Sequence, residues 1–248
     1  MNHARKVGLP ALMALDFQQR AERLKALARY LNGRKATLYA VSAHTGATRD
    51  DSGVDIEGGS GTLFAYAAVG SNELPSGNLV HEGPVLDLGR SGGFKGTHIL
   101  VPRGGVAVHI NAFNFPVWGL LEKFAPSLLA GTPCIGKPAI ATSYLTEALV
   151  RLIQQSGIVP EGALQLVIGG TGDLLDRLKG CDVITFTGSA DTAARLRVHS
   201  NIVRKSIPFN AEADSLNCDT LGLDVSPDDE EIAKRRSIPP ATARRCRC

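Results

Sequence analysis

Val106-Ala107-Val108-His109-Ile110-Asn111-Ala112-Phe113-Asn114-Phe115-Pro116 sets five residues of strand character directly before a turn that closes on proline. Apolar and β-branched side chains suit a buried strand, and Pro116 cannot donate to a continued ladder. Residues 117–130 then return to apolar positions at helical spacing. The alternation repeats along the chain. Strand-like runs Ile99-Leu100-Val101, Pro133-Cys134-Ile135-Gly136, Leu164-Gln165-Leu166-Val167-Ile168 and Val183-Ile184-Thr185-Phe186 interleave with helical stretches 117–130, 143–155, 173–178 and 189–197. Short strands joined through helices pair in parallel, because each crossover returns the chain to the same end of the sheet. With right-handed crossovers the fold class is α/β, a Rossmann-like doubly wound parallel sheet.

Upstream of that sheet the pattern is helical. Asp16-Phe17-Gln18-Gln19 reads as a capping box, followed by Phe17, Ala21, Leu24, Ala28 and Leu31 on one face until Asn32-Gly33 stops the helix. Residues 36–41 and 55–69 suggest two more helices, the second weakened at its start by Gly58-Gly59-Ser60-Gly61. Residues 71–96, rich in Gly, Pro and Ser, read as connection. The expected organisation is an N-terminal helical segment at 1–96, a dinucleotide-binding domain at 97–231 and a basic tail at 232–248.

The chain has 248 residues, 44% of them apolar, and a formal charge of +3. That charge belongs to the end: residues 234–248 hold six basic and no acidic side chains, and the remainder is net negative, so no nucleic-acid partner is expected. No apolar run approaches the ~20 residues that span a bilayer. The start lacks a signal-peptide pattern, and the cytoplasm is the expected location. Five cysteines show no pairing pattern, and Cys246-Arg247-Cys248 lacks the second half of a zinc site, so reduced thiols and no metal are expected.

Ligands of open α/β sheets bind beyond the carboxyl ends of the strands. Asn114 stands there after the 106–110 strand, as an amide donor or as a helix N-cap. The next strands end in Gly136-Lys137-Pro138, in Gly169-Gly170-Thr171-Gly172 before a helix, and in Phe186-Thr187-Gly188-Ser189 before a helix. One Lys and two Gly/Ser/Thr turns suit a diphosphate approached by backbone N–H groups, although none fits G-x-G-x-x-G or the Walker pattern.

Asn114-Phe115-Pro116, Gly136-Lys137-Pro138-Ala139, Ser156-Gly157-Ile158-Val159-Pro160-Glu161-Gly162 and Thr185-Phe186-Thr187-Gly188-Ser189 occur in the order and spacing of the aldehyde dehydrogenase superfamily, which the sequence resembles over about 16–231. Thr45-Gly46-Ala47-Thr48-Arg49, Val54-Asp55-Ile56-Glu57-Gly58-Gly59, Ser206-Ile207-Pro208-Phe209 and Glu212-Ala213-Asp214-Ser215-Leu216-Asn217 look closest to the ring-opening semialdehyde dehydrogenases of bacterial phenylacetate degradation. The resemblance implies that Asn114 is the oxyanion donor and Glu212 the general base. It implies that Lys137 contacts the adenosine ribose or its phosphate, that Gly188 and Ser189 face the diphosphate, and that Phe186 lines the cofactor site with Phe113, Gly170 and Thr187. In the family a thiolate attacks the aldehyde, hydride leaves for the nicotinamide, and Glu activates the water that releases the acid. The implied partner is a small aldehyde, CoA-linked in this branch.

Three departures follow. Ile140 stands where the family places a ribose-binding Glu; without that carboxylate NADP is the expected cofactor, with NAD possible. The superfamily nucleophile lies beyond the Glu in a Gly-Gln-x-Cys context, whereas Cys246 sits in Ala243-Arg244-Arg245-Cys246-Arg247-Cys248, so this chain is expected to be a fragment without its nucleophile. The Arg/Pro/Cys-rich end resembles a shifted reading frame or a truncated gene. The sheet is expected to be incomplete at both ends, and the family is homo-oligomeric through a region expected to be absent here. Two alternatives remain open: a non-catalytic dinucleotide-binding module, and the related dehydrogenase of benzoyl-CoA degradation.

Overall fold

A computed structural model describes residues 1–90 and 92–214; Cys218, Cys246, Cys248 and the basic tail lie outside the described residues. The chain opens with a π-helical turn, Ala4–Gly8, and α1 (Leu9–Met13), then enters α2 (Phe17–Asn32). The expected box fixes that entry: Gln19 N donates to Asp16 Oδ1 at 2.8 Å and Asp16 N donates to Gln19 Oε1 at 3.0 Å. After α3 (Lys35–Ser42) comes α4 (Arg49–Asn72), which begins at Arg49 rather than 55, behind a second box made by Thr48 and Asp51. The glycines that weakened the sequence reading are mid-helix. A Cβ on Gly58 would meet Trp118 Cε3 at 2.8 Å, and one on Gly59 would meet Leu121 Cδ1 at 3.0 Å. Bare backbone there admits α5 (Trp118–Leu129), and the packing gained outweighs about 1 kcal/mol of lost propensity per glycine.

Residues 71–96 are not a plain connection. They contain β1 (Val80–Asp87) and the start of β2 (Lys95–Leu100), an antiparallel ribbon with both strands largely exposed. Ile99-Leu100 therefore belongs to this ribbon and not to the parallel sheet. His81, Glu82, Lys95 and His98 make the reason legible: a central parallel strand is covered on both faces and reads as a continuous apolar run, which this segment does not.

The parallel sheet has five strands, β3 (Ala107–Ile110), β4 (Cys134–Lys137), β5 (Leu164–Leu166), β6 (Val183–Gly188) and β7 (Phe209–Ala213), in the order β5-β4-β3-β6-β7. Its two faces bury separate cores. Ala107, Cys134 and Leu164 face the core built by α2, α4, α5 and α6 (Ser143–Ser156). Val108, Ile110, Ile135, Ile184 and Phe186 face the other, with Ala193 of α7 (Ala190–Arg197) and Ile202 of α8 (Ser200–Arg204). Helices on both faces make the sheet doubly wound, as expected. From β3 the chain builds outward to β5, then returns to β6 on the other side, so the order reverses between β3 and β6.

The expected helix at 173–178 is instead a run of turns, closed by Leu174 N to Thr171 O and Leu178 N to Leu175 O. Leu174, Leu175 and Leu178 are buried as a helix face would be, but the seven residues between Gly172 and Gly180 close as successive turns rather than as a helix. Neither α8 nor β7 is anticipated from the sequence. Phe209-Asn210-Ala211-Glu212-Ala213 has little strand propensity and is held by its ladder to β6.

One charge is enclosed in the helical layer. Arg20 is 0% exposed and donates to Leu12 O, Leu129 O and Asn78 Oδ1 at 3.1, 3.1 and 2.7 Å. Its cation thus ends on carbonyls at the carboxyl ends of α1 and α5, where the helix dipole is negative.

Candidate functional site

The ladder register brings the expected residues to one edge. Ile110, the last residue of β3, pairs with Lys137 of β4 on one side and Phe186 of β6 on the other. Thr187 and Gly188 of β6 pair with Glu212 and Ala213 of β7. Lys137, Thr187, Gly188 and Glu212 thus all emerge beside the reversal, where a parallel sheet opens a crevice, while the Phe186 ring is buried in the adjoining core.

Asn114 follows β3 in a loop fastened at three points. Thr142 Oγ1 donates to Phe113 O at 3.0 Å, and Thr146 Oγ1 donates to Pro116 O at 2.9 Å. The carboxylate of Asp55, on α4, accepts from Val117 N at 3.1 Å and Trp118 N at 2.7 Å. Asp55 therefore caps α5 from a neighbouring helix, and Asn114 is not the cap: the N-cap residue is Val117, with no side-chain bond of its own. Burial of the Asp55 carboxylate pushes its pKa up to about 6, against the pull of the two N–H donors. Beneath the loop lies a cavity of about 160 Å³ that includes Asn114, Phe113, Asp51, Asp55 and Thr142 among its lining.

Lys137 is half-buried; its ammonium donates to Pro138 O at 3.2 Å, and burial holds its pKa below the usual lysine range. Ile140, three residues on in the following turn, is 65% exposed. Gly170 is exposed in the turn after β5, with Gly169 and Gly172 in left-handed conformations, and no helix follows. Only β6 of the two glycine turns leads into a helix. There Ser189 caps α7, accepting from Thr192 N at 3.3 Å. A Cβ on Gly188 would lie 2.6 Å from Phe186 Cζ, so a larger residue at that strand end would have to displace the ring.

Glu212 projects from β7 with its side chain 62% exposed; Thr187 Oγ1 donates to it at 3.4 Å and Lys123 Nζ stands 4.0 Å away. Among the described residues no hydrogen bond joins Asn114 to Glu212. Lys123, which also pairs with Glu122, links the Glu212 side chain to α5, the helix that Asn114 precedes.

Two residues beside the site are absent from the sequence reading. His109 of β3 is buried between Thr185 Oγ1 at 2.8 Å from Nδ1 and Ser127 Oγ at 3.0 Å from Nε2. Ser127 donates its proton to Lys123 O, so it accepts from Nε2–H, and Thr185 donates to Nδ1. Burial, and secondarily Lys123, push the His109 pKa down to about 3, so the ring is neutral. Asn111 is also buried, with both carboxamide atoms unpaired among the described residues. A polar face on an otherwise apolar strand was the available signal for both.

Strand ends bearing one half-buried Lys, a glycine against an aromatic ring and a capped helix suit a dinucleotide. One group opposes it: Asp214 Oδ2 accepts from Ala190 N at 3.0 Å, placing a carboxylate at the α7 N-terminus where a diphosphate would sit. Asp214 adopts φ 46, the left-handed region that an Asp side chain seldom occupies. The described thiols stand elsewhere. Cys134 begins β4 and is buried, with its thiol pushed up by burial; Cys181 precedes β6. Both are at the amino edge of the sheet. Among the described residues no group of His, Cys, Asp and Glu is placed to hold a metal ion. No described helix is long and apolar enough to cross a membrane.

Comparison with known proteins bears on this arrangement. Residues 1–215 match the model of the aldehyde dehydrogenase family. A 3,4-dehydroadipyl-CoA semialdehyde dehydrogenase of Aromatoleum evansii is 45% identical over 94% of the chain and 45% of its own length. An N-succinylglutamate 5-semialdehyde dehydrogenase of Escherichia coli is 33% identical over 78% of the chain and 37% of its own length. The chain thus spans less than half of these curated relatives. Among solved structures, PnpE in complex with nicotinamide adenine dinucleotide superposes with a TM-score of 0.72 at 24% identity, over 86% of this chain and 42% of that one. Betaine aldehyde dehydrogenase of Staphylococcus aureus in complex with NAD+ gives 0.71 at 21% identity, over 85% and 40%. These likenesses show the fold, and the family match shows the lineage: the chain belongs to the aldehyde dehydrogenase family.

Proposed function

We propose that this chain is the dinucleotide-binding portion, residues 97–231 behind an N-terminal segment 1–96 of helices and the first part of the β1–β2 ribbon, of an enzyme that oxidises a CoA-linked semialdehyde to the acid in aerobic aromatic degradation, with phenylacetate breakdown the favoured pathway. The observation that carries the reading is the register that sets Lys137, Phe186, Thr187, Gly188 and Glu212 at the carboxyl edge, beside the Asn114 loop. Asn114 donates its amide to the oxyanion, and Glu212 accepts a proton from the water that releases the acid. Lys137 holds the adenosine ribose or its phosphate, while Gly188 and Ser189 present backbone to the diphosphate. Phe113, Gly170, Phe186 and Thr187 complete the cofactor walls. The dinucleotide supplies the hydride acceptor. Ile140 brings no carboxylate to the ribose, which favours NADP over NAD.

The nucleophile is not among the described thiols, since Cys134 and Cys181 stand at the opposite edge of the sheet. Cys246, outside the described residues, lacks the Gly-Gln-x-Cys context of the family, and on this reading the chain binds dinucleotide without reducing it. Calorimetric titration tests the reading: NADP should bind more tightly than NAD, and Lys137→Gln should weaken it about tenfold, the scale of one charge-assisted contact. Equal affinity of wild type and Lys137→Gln overturns the site. A clear preference for NAD overturns the argument from Ile140.

A further inference from the structure

The cavity under Asn114 has no cation in its lining. Asp51 and Asp55 contribute carboxylates, and Ser42, Thr45, Ser52 and Thr142 contribute hydroxyls. An aldehyde that carried a free carboxylate close to its reacting end would meet like charge there, in a confined space. The cations line a second hollow, built like the first from residues of α3 and α4. Ser42 of α3 lines the inner cavity, and Tyr39, one turn earlier, lines an outer hollow of about 380 Å³ with Lys35 and Arg49. Likewise Asp51 of α4 faces inward and Arg49 outward.

The outer hollow carries two cations, Lys35 and Arg49, with the Glu57 carboxylate beside both. The Arg49 guanidinium lies 3.8 Å from the centroid of the Tyr39 ring, which fixes its plane and leaves its other face for stacking. Lys35 Nζ gives one proton to Glu57 Oε1 at 3.1 Å, and Glu57 also accepts from Tyr39 at 2.7 Å. Lys35 keeps two further N–H groups for an anion.

We infer that the Lys35, Tyr39 and Arg49 hollow binds the phosphate-bearing adenine end of an acyl thioester of coenzyme A, whose uncharged acyl chain passes the α3–α4 loop to reach Asn114. This rests on the reading that the aldehyde is held at Asn114, and it adds the reason a thioester is preferred to a free acid: the carboxylate is masked where the wall is acidic and the charge is moved to where the wall is basic.

Titration of the full chain with propionyl-CoA, with and without NADP present, tests the inference. Wild type should bind propionyl-CoA, and NADP should not displace it. Arg49→Gln should bind at least about tenfold more weakly, as loss of a charge-assisted contact requires, and Tyr39→Ala should weaken binding as well. Both variants should keep wild-type affinity for NADP, which also reports that they fold. Lys137→Gln should show the reverse, a loss for NADP and none for propionyl-CoA. Absence of propionyl-CoA binding, equal binding by Arg49→Gln, or displacement by NADP overturns the inference while leaving the dinucleotide site standing. Failure of NADP to bind wild type strikes the proposed function instead.

Discussion

Asp55→Asn separates the electrostatic cost of the α5 cap from its hydrogen bonding. The carboxyl titrates at 3.8 when free and at about 6 in the folded chain, where burial penalises the anion. Between those values the native state binds more protons than the unfolded chain, so stability must fall as pH rises through the window. Above pH 6 the whole charge is buried; below 3.8 neither state is charged and the penalty is gone. A change from 3.8 to about 6 corresponds to about 3 kcal/mol. The amide of Asn keeps one acceptor for Trp118 N and does not titrate. Urea unfolding of both proteins at a series of pH values gives the difference directly. Wild type should lose about 3 kcal/mol relative to the variant between pH 3.5 and pH 7. A difference that stays constant across that range refutes the reasoning, and one that grows toward acid pH reverses its sign.

Arg20→Met should destabilise the chain by about 3–5 kcal/mol in the same assay, because Leu12 O, Leu129 O and Asn78 Oδ1 lose their donor inside the helical layer. Gly70→Val should cost about 1–3 kcal/mol or more, since even a Cβ there would lie 2.7 Å from Ala21 Cβ and from Leu129 Cδ1; a neutral result would mean that α2 and α4 can part. His109 behaves oppositely to Asp55. Its folded pKa, about 3, lies below the usual 6.5, so its neutral ring supports the fold above 6.5 and that support is lost as pH falls through the window; His109→Gln should flatten this acid limb in pH-dependent unfolding. Ile140→Glu should shift dinucleotide preference toward NAD in calorimetric titration.

The parallel sheet was legible because β3, β4 and β6 are fully or alternately buried and carry the β-branched residues that such strands need. The Asp16 cap was legible because its chemistry is local, two side chains three residues apart. What failed depended on tertiary contact. β7 is a strand only because β6 offers it a ladder, and Gly58 and Gly59 look like helix breakers until Trp118 is seen against them. The ribbon was hidden because exposed antiparallel strands read as polar connection. Strand-end motifs gave the place of Lys137 and Ser189, but nothing in the sequence tells that Asp55 caps a helix 62 residues away or that Asp214 turns back onto Ala190.

Asp55 and His109 each lower stability over part of the pH range, and both are tied to α5. Asp55 caps its amino end, and His109 bonds Ser127 near its carboxyl end. Apolar packing by Leu120, Leu121, Phe124 and Leu128 would hold α5 against the sheet without them, but such contacts are non-directional and tolerate rotation about the helix axis. Hydrogen bonds at both ends do not. The rotational setting matters here because α5 presents Lys123, 4.0 Å from Glu212, and begins just after Asn114. A small turn of the helix would shift Asn114 and Lys123 together, one against the proposed oxyanion and the other against the proposed base. Polar ties at both ends of α5, each costing stability over part of the pH range, therefore fix the geometry that the proposed chemistry needs.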